Sequence, residues 1–252
     1  MRRTELSLLV ALVAPFAGLR AEQGQGTNED SRLPYRGSVG PVREVEAPPA
    51  IPAPVPVKVP DEAKPPVQTA IVEKIGGEGV EAFQSGNFEG AREAYLRVLK
   101  IEPDNLPALV NLGATEYRLG NSSEAEGYLR RSLQIKPDNP TAWLNLGILY
   151  LERGEPMRSL AAIAQAVVHA PDDPVARNYL GVAAGRNRWF DAAEAELRRA
   201  IELQPDYADA HFNLAVFCLE RNPPAVELAR RHYQKARDLG AAPDPLIEKA
   251  LR

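Results

Sequence analysis

The chain has 252 residues, which is enough for one or two domains, and its 44% hydrophobic and 25% charged residues are ordinary for a globular protein. A net charge of −4 disfavours a nucleic-acid-binding protein. One cysteine, Cys218, and three scattered histidines disfavour a disulfide framework and a metal centre. We therefore expect no nucleic-acid partner, no metal and no cofactor.

The first 21 residues have the layout of a secretory signal peptide. Arg2 and Arg3 carry positive charge, residues 6–17 form an uncharged run, and small residues lie around Ala21. The uncharged run would make about 18 Å of helix, less than the roughly 30 Å of a bilayer core. We predict cleavage near residue 21 and a periplasmic or extracellular protein. The alternative is an uncleaved N-terminal anchor that keeps the chain close to a membrane.

Residues 22–71 predict a disordered, proline-rich linker. Of the 23 prolines in the chain, 11 precede residue 72. Proline fixes φ and lacks a backbone N–H, so neither a helix nor a central strand is expected here. The favoured interpretation is a spacer that holds a folded part away from a membrane. A ligand for a proline-reading domain is the alternative.

A period of 34 residues governs the remaining sequence, and a period of this length indicates a solenoid or an array of repeats. Prolines mark it at Pro103, Pro137, Pro171 and Pro205. Four further columns share the register: Gly79, Gly113, Gly147 and Gly181; Leu112, Leu146, Leu180 and Leu214; Ala91, Ala125, Ser159 and Ala193; and Tyr95, Leu129, Ile163 and Leu197.

Each repeat is predicted to be a pair of helices joined by a short turn. The columns fall on one face of each helix, glycines mark the turns, and the proline ends the second helix. Small residues in the glycine column should let the two helices approach closely. Because Gly76 and Gly77 weaken a helix, we expect the first helix to be frayed or to form a polar end cap. The repeats span 72–105, 106–139, 140–173, 174–207 and 208–243, and residues 244–252 form a capping helix.

The third repeat carries a recognisable motif, residues 142–150 with the sequence AWLNLGILY, followed by Ser159, Ile163, Ala166 and Pro171. This pattern resembles the tetratricopeptide repeat family, whose period is 34 residues. The resemblance implies an all-α fold, a right-handed superhelical solenoid of five antiparallel helix pairs with a concave groove. It also implies a protein-binding scaffold that is not an enzyme and has no small-molecule substrate.

One column suggests a binding site. Asn111, Asn145 and Asn213 share a position in the first helix of their repeats, and Tyr179 interrupts the column. These residues resemble the asparagine ladder in the repeat domain of O-linked N-acetylglucosamine transferase, which implies amides that lie hydrated in the groove. An amide can donate to and accept from a peptide backbone whatever its side chains are. The candidate partner-binding residues are Asn111, Asn145, Asn213, Tyr117, Asn178, Tyr179 and Phe212. The alternative is that the asparagines only hydrogen-bond neighbouring helices.

Two functions remain open. The first is an exported interaction scaffold that binds an extended segment of a partner protein in its groove. The second is a structural assembly factor of a larger envelope or secretion complex, which uses its repeat surface and leaves the groove unoccupied.

Overall fold

The computed structural model describes residues 66–252, and every regular element within them is an α-helix. The predicted signal peptide, and the predicted linker as far as residue 65, lie outside the described residues. The all-α repeat fold is confirmed. The helices are α1 (Pro66–Gln84), α2 (Phe88–Ile101), α3 (Leu106–Arg118), α4 (Ser122–Ile135), α5 (Pro140–Glu152), α6 (Pro156–His169), α7 (Pro174–Arg186), α8 (Phe190–Leu203), α9 (Ala208–Glu220), α10 (Val226–Asp238) and α11 (Pro245–Ala250).

The described residues form two compact units, residues 66–149 and residues 150–252. In the first unit, α1 packs on α2, α2 on α3 and α3 on α4. In the second unit, α6 packs on α7, α7 on both α8 and α9, α8 on α9, and α9 on α10. Asp244 caps α11 by accepting from the N–H groups of Leu246 and Ile247. Within each unit, successive helices therefore pack in the order of the chain.

The first helix differs from its prediction in two ways. It begins at Pro66, so residues 66–71 are helical rather than part of a disordered linker. It also continues without a break through Gly76 and Gly77. Proline is tolerated in the first turn because its missing N–H is not needed there. Val72 and Ile75 bury their side chains in one apolar cluster with Val98, and this packing outweighs the helix-weakening effect of the glycines.

The glycine column allows the two helices of a repeat to touch, as predicted. A Cβ atom at Gly113 would lie 2.7 Å from Cγ of Leu129, and one at Gly181 would lie 2.7 Å from Cγ of Leu197. In the first repeat, a Cβ at Gly79 would lie 2.6 Å from Cε1 of Tyr95. Each of these positions needs glycine because the partner column fills the space that a side chain would occupy.

The turns between paired helices repeat the same backbone conformation. Gly86, Gly120 and Gly154 have φ angles of +80°, +82° and +71°. The fourth repeat has Arg188 in this register, with a φ angle of +61°. A left-handed conformation costs a residue with a Cβ roughly 1 kcal/mol, so this turn carries strain that its glycine counterparts avoid.

At one position of the repeat, three different side chains make the same kind of hydrogen bond. Each lies near the start of a first helix and hydrogen-bonds to the carbonyl oxygen of the proline six residues earlier. These contacts are Trp143 Nε1 to Pro137 at 2.7 Å, Arg177 Nε to Pro171 at 3.0 Å, and His211 Nε2 to Pro205 at 3.1 Å. This position therefore requires a side-chain N–H group that can donate to the backbone carbonyl between two repeats.

Candidate functional site

The asparagines of the predicted binding column are buried. The exposed fraction is 6% for Asn111 and Asn145 and 3% for Asn178 and Asn213. The expectation that they lie hydrated in an open groove is therefore wrong. Asn111 lies in the middle of α3, which α2 and α4 cover, and Asn213 lies in the middle of α9, against which α7, α8 and α10 pack.

Two of these asparagines form a hydrogen-bonded chain in the second unit. Asn213 donates from Nδ2 to Oδ1 of Asn178 at 3.0 Å, and Asn178 donates from Nδ2 to the hydroxyl of Tyr207 at 3.5 Å. We call Asn178, Tyr207 and Asn213 the amide cluster. Tyr179 does interrupt the asparagine column, but Asn178, one residue earlier, supplies the partner that Asn213 needs.

The amide cluster leaves one buried group without a partner. Oδ1 of Asn213 accepts no hydrogen bond from any described residue. Exchanging the amide nitrogen and oxygen of both asparagines reverses the direction of these hydrogen bonds. The second amide atom of Asn213 still has no partner after this exchange. A buried polar atom without a partner costs about 1–3 kcal/mol, so this amide is one hydrogen bond short in the free protein.

Tyr207 was not among the candidate residues. It is buried, with 8% of its surface exposed, and burial raises the pKa of its hydroxyl far above the ordinary value. The sequence does contain a pattern that could have identified Tyr207. Its register is that of Asn105, Asn139 and Asp173, whose side chains cap the helices that follow them. A tyrosine cannot cap in this way, and Tyr207 points its hydroxyl to Asn178 instead.

Tyr179 lies half-buried beside the amide cluster. Burial, together with the negative charges of Asp209 and Glu152, raises the pKa of its hydroxyl to about 12. The hydroxyl is therefore protonated at neutral pH and can donate a hydrogen bond. Phe212, in contrast, is 1% exposed and packs on Tyr233 with ring centroids 6.3 Å apart. Its side chain belongs to the core and offers no surface to a partner.

The first unit also holds an amide that lacks a partner. Nδ2 of Asn145 donates to no described residue. Asn111 lies close to Tyr95, whose pKa burial raises to about 12 while Asn111 opposes that shift. The backbone carbonyl of Asn111 accepts from the hydroxyl of Thr115 at 2.7 Å. Tyr117, further along α3, is half-buried.

Two histidines of the second unit form a pair. The rings of His211 and His232 stack with centroids 5.1 Å apart, and their Nδ1 atoms lie 2.9 Å apart. The Pro205 carbonyl can only accept, so when both rings are neutral Nε2 of His211 carries the proton, its Nδ1 accepts, and Nδ1–H of His232 donates. Burial, together with the charges of His211 and Arg198, lowers the pKa of His232 to about 4.

The single cysteine, Cys218, has a thiol of low reactivity. Burial, together with the negative charge of Glu194, raises the pKa of the Cys218 thiol to about 11, so the reactive thiolate is scarce at neutral pH. In the part of the chain from residue 66 onward, no three His, Cys, Asp or Glu side chains are grouped to hold a metal ion. Within the same residues, none of the helices combines the length and apolar character that a bilayer span requires.

Known sequences and structures place the chain among repeat proteins. One family pattern, described as Tetratricopeptide repeat, matches residues 77–140 and 183–244, and a second pattern with the same description matches residues 123–180. Among the curated proteins, none matches the sequence of this chain.

Three solved structures share the fold. TTC0263 from Thermus thermophilus is 21% identical, with 71% of this chain and 98% of that protein covered at a TM-score of 0.59. MamA from Desulfovibrio magneticus RS-1 is 19% identical, with 67% and 94% covered at 0.58. YrrB, a tetratricopeptide repeat protein described as having an unusual peptide-binding site, is 21% identical, with 73% and 96% covered at 0.56. At these identities the likeness concerns the fold alone.

Proposed function

Because this chain belongs to the tetratricopeptide repeat family, we propose that it is an exported scaffold whose repeats bind an extended segment of a partner protein. The observation that carries this proposal is the match of the tetratricopeptide repeat patterns within residues 77–244, and the unpartnered Oδ1 of Asn213 is the atom that we take as a contact for the partner. This oxygen is buried in the free protein, so a backbone N–H of an extended peptide would supply the missing donor only after the side chains that cover it move aside. In the first unit, the unpartnered Nδ2 of Asn145 would in the same way take a backbone carbonyl.

A buried amide that lacks a partner gains more from a peptide hydrogen bond than a hydrated amide does. Its desolvation cost is already met in the folded protein, so a peptide group that completes it gains a hydrogen bond without displacing ordered water. Contacts to the peptide backbone do not depend on side chains, which suits a scaffold that accepts several related segments. The description of YrrB, which shares the fold, names a peptide-binding site and supports this proposal.

We expect the variant Asn178→Leu with Asn213→Leu to bind extended peptides about 10- to 30-fold more weakly, the equivalent of about 1.4–2 kcal/mol. Leucine resembles asparagine in shape, and both partners of the Asn213–Asn178 hydrogen bond are replaced together, so the loss of stability should be limited to the long 3.5 Å contact between Asn178 and the Tyr207 hydroxyl. Fluorescence anisotropy with a library of labelled ten-residue peptides measures the affinity, and urea unfolding measures the stability.

The matched control is Asn187→Leu. Asn187 also lies in the second unit and donates from Nδ2 to the carbonyls of Pro156 and Ala183. Its replacement should lower stability and leave peptide affinity unchanged. If the double variant binds every peptide as tightly as the natural protein does, the amide cluster has no part in binding.

The assembly-factor alternative is favoured by apolar side chains outside the amide cluster. Met157 and Val168 on α6 are 45% and 67% exposed, and Trp189 at the start of α8 is 49% exposed. An assembly surface would require these residues and not the asparagines. Loss of a native complex in Val168→Ser with Trp189→Ser, together with its retention in the double leucine variant, would favour this function over peptide binding.

Export rests on the N-terminal sequence, which lies outside the described residues. We expect the mature protein to begin near Glu22 when its N-terminus is sequenced after export. Introducing aspartate at Leu9 and Val10 should interrupt the apolar run and leave the precursor uncleaved. A natural protein that keeps Met1 or Arg2 after export would point to the uncleaved anchor instead.

A further inference from the structure

A cavity of about 370 Å³ opens at the surface of the second unit, beside the start of α8. It is lined by residues 188–192, which comprise the turn before α8 and its first residues, and by Arg221 and Asn222, which follow α9. The volume lies within the range of about 300–1,000 Å³ that is typical of ligand sites. None of these residues belongs to the amide cluster, so the cavity is a separate candidate site.

At this cavity, the fourth repeat departs from the other repeats in the turn between its two helices. Arg188 occupies the register of Gly86, Gly120 and Gly154 and adopts a left-handed conformation, with a φ angle of +61°. This conformation is unfavourable for a residue with a Cβ, and glycine would avoid the cost. The turn itself therefore gains nothing from arginine, and the arginine side chain is exposed.

The next residue, Trp189, departs from the repeat pattern as well. In the first three repeats, the residue in this register hydrogen-bonds to a nearby group: Asn87 accepts from the N–H of Gly90, Asn121 donates to Glu116, and Glu155 accepts from Arg158. The indole of Trp189 forms no hydrogen bond with the described residues, and Trp189 is 49% exposed. Tryptophan is enriched among the residues that dominate protein interfaces, so this exposed ring is suited to contact a partner.

The carboxylates near the cavity are held by arginines other than Arg188. Asp191, which lines the cavity, lies 3.5 Å from Arg221. Glu194, one turn further along α8, lies 2.9 Å from Arg221 and 2.6 Å from Arg198. Arg188 forms no ion pair with any residue from 66 onward. Its positive charge is therefore available to a ligand.

A carboxylate is the group that this arrangement fits. The guanidinium of Arg188 has five N–H donors in one plane, and two of them can bind both oxygens of a carboxylate. It lies over the ring of Phe190, with Cζ 5.5 Å from the ring centroid, and this cation–π contact uses none of its donors in a hydrogen bond. The indole of Trp189 adds an apolar face next to the cation. The cavity therefore suits an acidic side chain whose neighbour along the chain is apolar.

We propose that this cavity binds an aspartate or glutamate side chain of a partner protein. Arg188 holds the carboxylate, and the adjacent apolar residue of the partner packs on Trp189. The inference goes beyond the proposed function, because the cavity shares no residue with the amide cluster and does not require peptide binding there.

Four labelled peptides test this inference. They share one ten-residue background of serine and threonine and differ in the central pair, which is Glu-Leu, Gln-Leu, Lys-Leu or Glu-Ser. In fluorescence anisotropy titrations with the full chain, the Glu-Leu peptide should bind about fivefold to tenfold more tightly than the Gln-Leu peptide, because a charge-assisted hydrogen bond is stronger than a neutral one. The Lys-Leu peptide should bind most weakly, since its charge is repelled by Arg188.

Two substitutions at Arg188 separate binding from structure. Arg188→Gln should lower the affinity for the Glu-Leu peptide to that for the Gln-Leu peptide. Arg188→Gly should abolish the same preference and raise the midpoint of urea unfolding, because it restores the glycine of the other repeats. A residue that only supported the turn would instead lose stability when replaced.

Arg231→Gln is the matched control. Arg231 of α10 is also exposed, also lacks an ion-pair partner among the described residues, and does not line the cavity. This variant loses the same charge and should keep the full preference for the Glu-Leu peptide. Trp189→Ser should weaken the Glu-Leu peptide to the affinity of the Glu-Ser peptide while keeping the preference for glutamate over glutamine.

The outcomes also separate this inference from the proposed function. Equal affinities of the natural chain for the Glu-Leu and Gln-Leu peptides, or an equal loss in Arg188→Gln and Arg231→Gln, would overturn it and leave the amide cluster untested by these peptides. Loss of all four peptides in the double leucine variant would place them at the amide cluster and overturn the cavity as their site. Self-association of the natural chain that Arg188→Gly abolishes, without peptide binding, would assign a second copy of the chain to the cavity instead.

Discussion

Replacing Phe217 by alanine should lower the free energy of unfolding by about 3–5 kcal/mol, the largest effect we expect from one substitution. Phe217 is 1% exposed, and its ring packs against Phe190 with centroids 6.5 Å apart. The edge of the ring also fills the space over Gly185 of α7, where a Cβ atom would overlap it. Urea unfolding followed by circular dichroism measures the loss.

The contact between Phe217 and Gly185 can be tested from its other side. Gly185→Ala should cost about 2 kcal/mol, although alanine normally stabilises a helix, because the methyl group and the ring cannot both fit. Adding Phe217→Leu should make the combined loss of stability smaller than the sum of the two single losses. The smaller leucine side chain leaves room for the methyl group added at position 185.

Gly76→Ala is the control for this pair of substitutions. Apart from its chain neighbours and the nearby backbone of its own helix, no atom lies within 4 Å of a Cβ built at Gly76, and the residue lies inside α1. The same chemical change should therefore raise stability there, by up to about 1 kcal/mol. If both glycine variants change stability in the same direction, helix propensity rather than packing decides the effect at Gly185.

Stability should also fall by roughly 3 kcal/mol as the pH decreases from about 6.5 to about 4, because of His232. Its pKa is lowered to about 4 in the folded protein from an ordinary value of 6.5. The unfolded chain therefore binds a proton first on acidification. The contribution is fully present above pH 6.5, and it is lost as the pH falls towards the folded pKa.

The variant His232→Asn isolates this effect. The asparagine amide can still donate to Nδ1 of His211 from a position close to that of the lost Nδ1–H, but it does not titrate. Urea unfolding at pH 7.0, 6.0, 5.0 and 4.5 should show a steeper loss for the natural protein than for the variant. Parallel losses would assign the acid sensitivity to other groups. The groups that face the pair are Arg198 of α8 and the Pro205 carbonyl.

Part of the candidate site could be predicted from the sequence and part could not. Asn111, Asn145 and Asn213 were found because they share a register, but a register does not report burial, and all three proved to be buried. The interruption at Tyr179 suggested a gap in the column. Asn178 closes it by bonding Asn213 at 3.0 Å, a contact between residues 35 apart that depends on how α7 and α9 pack.

The sequence by itself determined the repeat period, the all-helical fold and the close approach of paired helices. These features are local or follow from one periodic pattern, because glycine is required wherever the partner column comes within 3 Å of a Cβ. The extent of α1 could not be predicted in this way. The low helix propensity of Gly76 and Gly77 disfavours this helix, but the packing of its apolar side chains outweighs that effect.

Only the tertiary structure decided which side chains complete one another. Trp143, Arg177 and His211 look unrelated in the sequence, yet each donates an N–H to the carbonyl of the proline six residues before it. The histidine pair and the amide cluster depend in the same way on the spacing of neighbouring helices. A hydrogen bond requires two atoms within about 3 Å in a suitable direction, and a repeat period fixes the positions of helices but not the rotamers of their side chains.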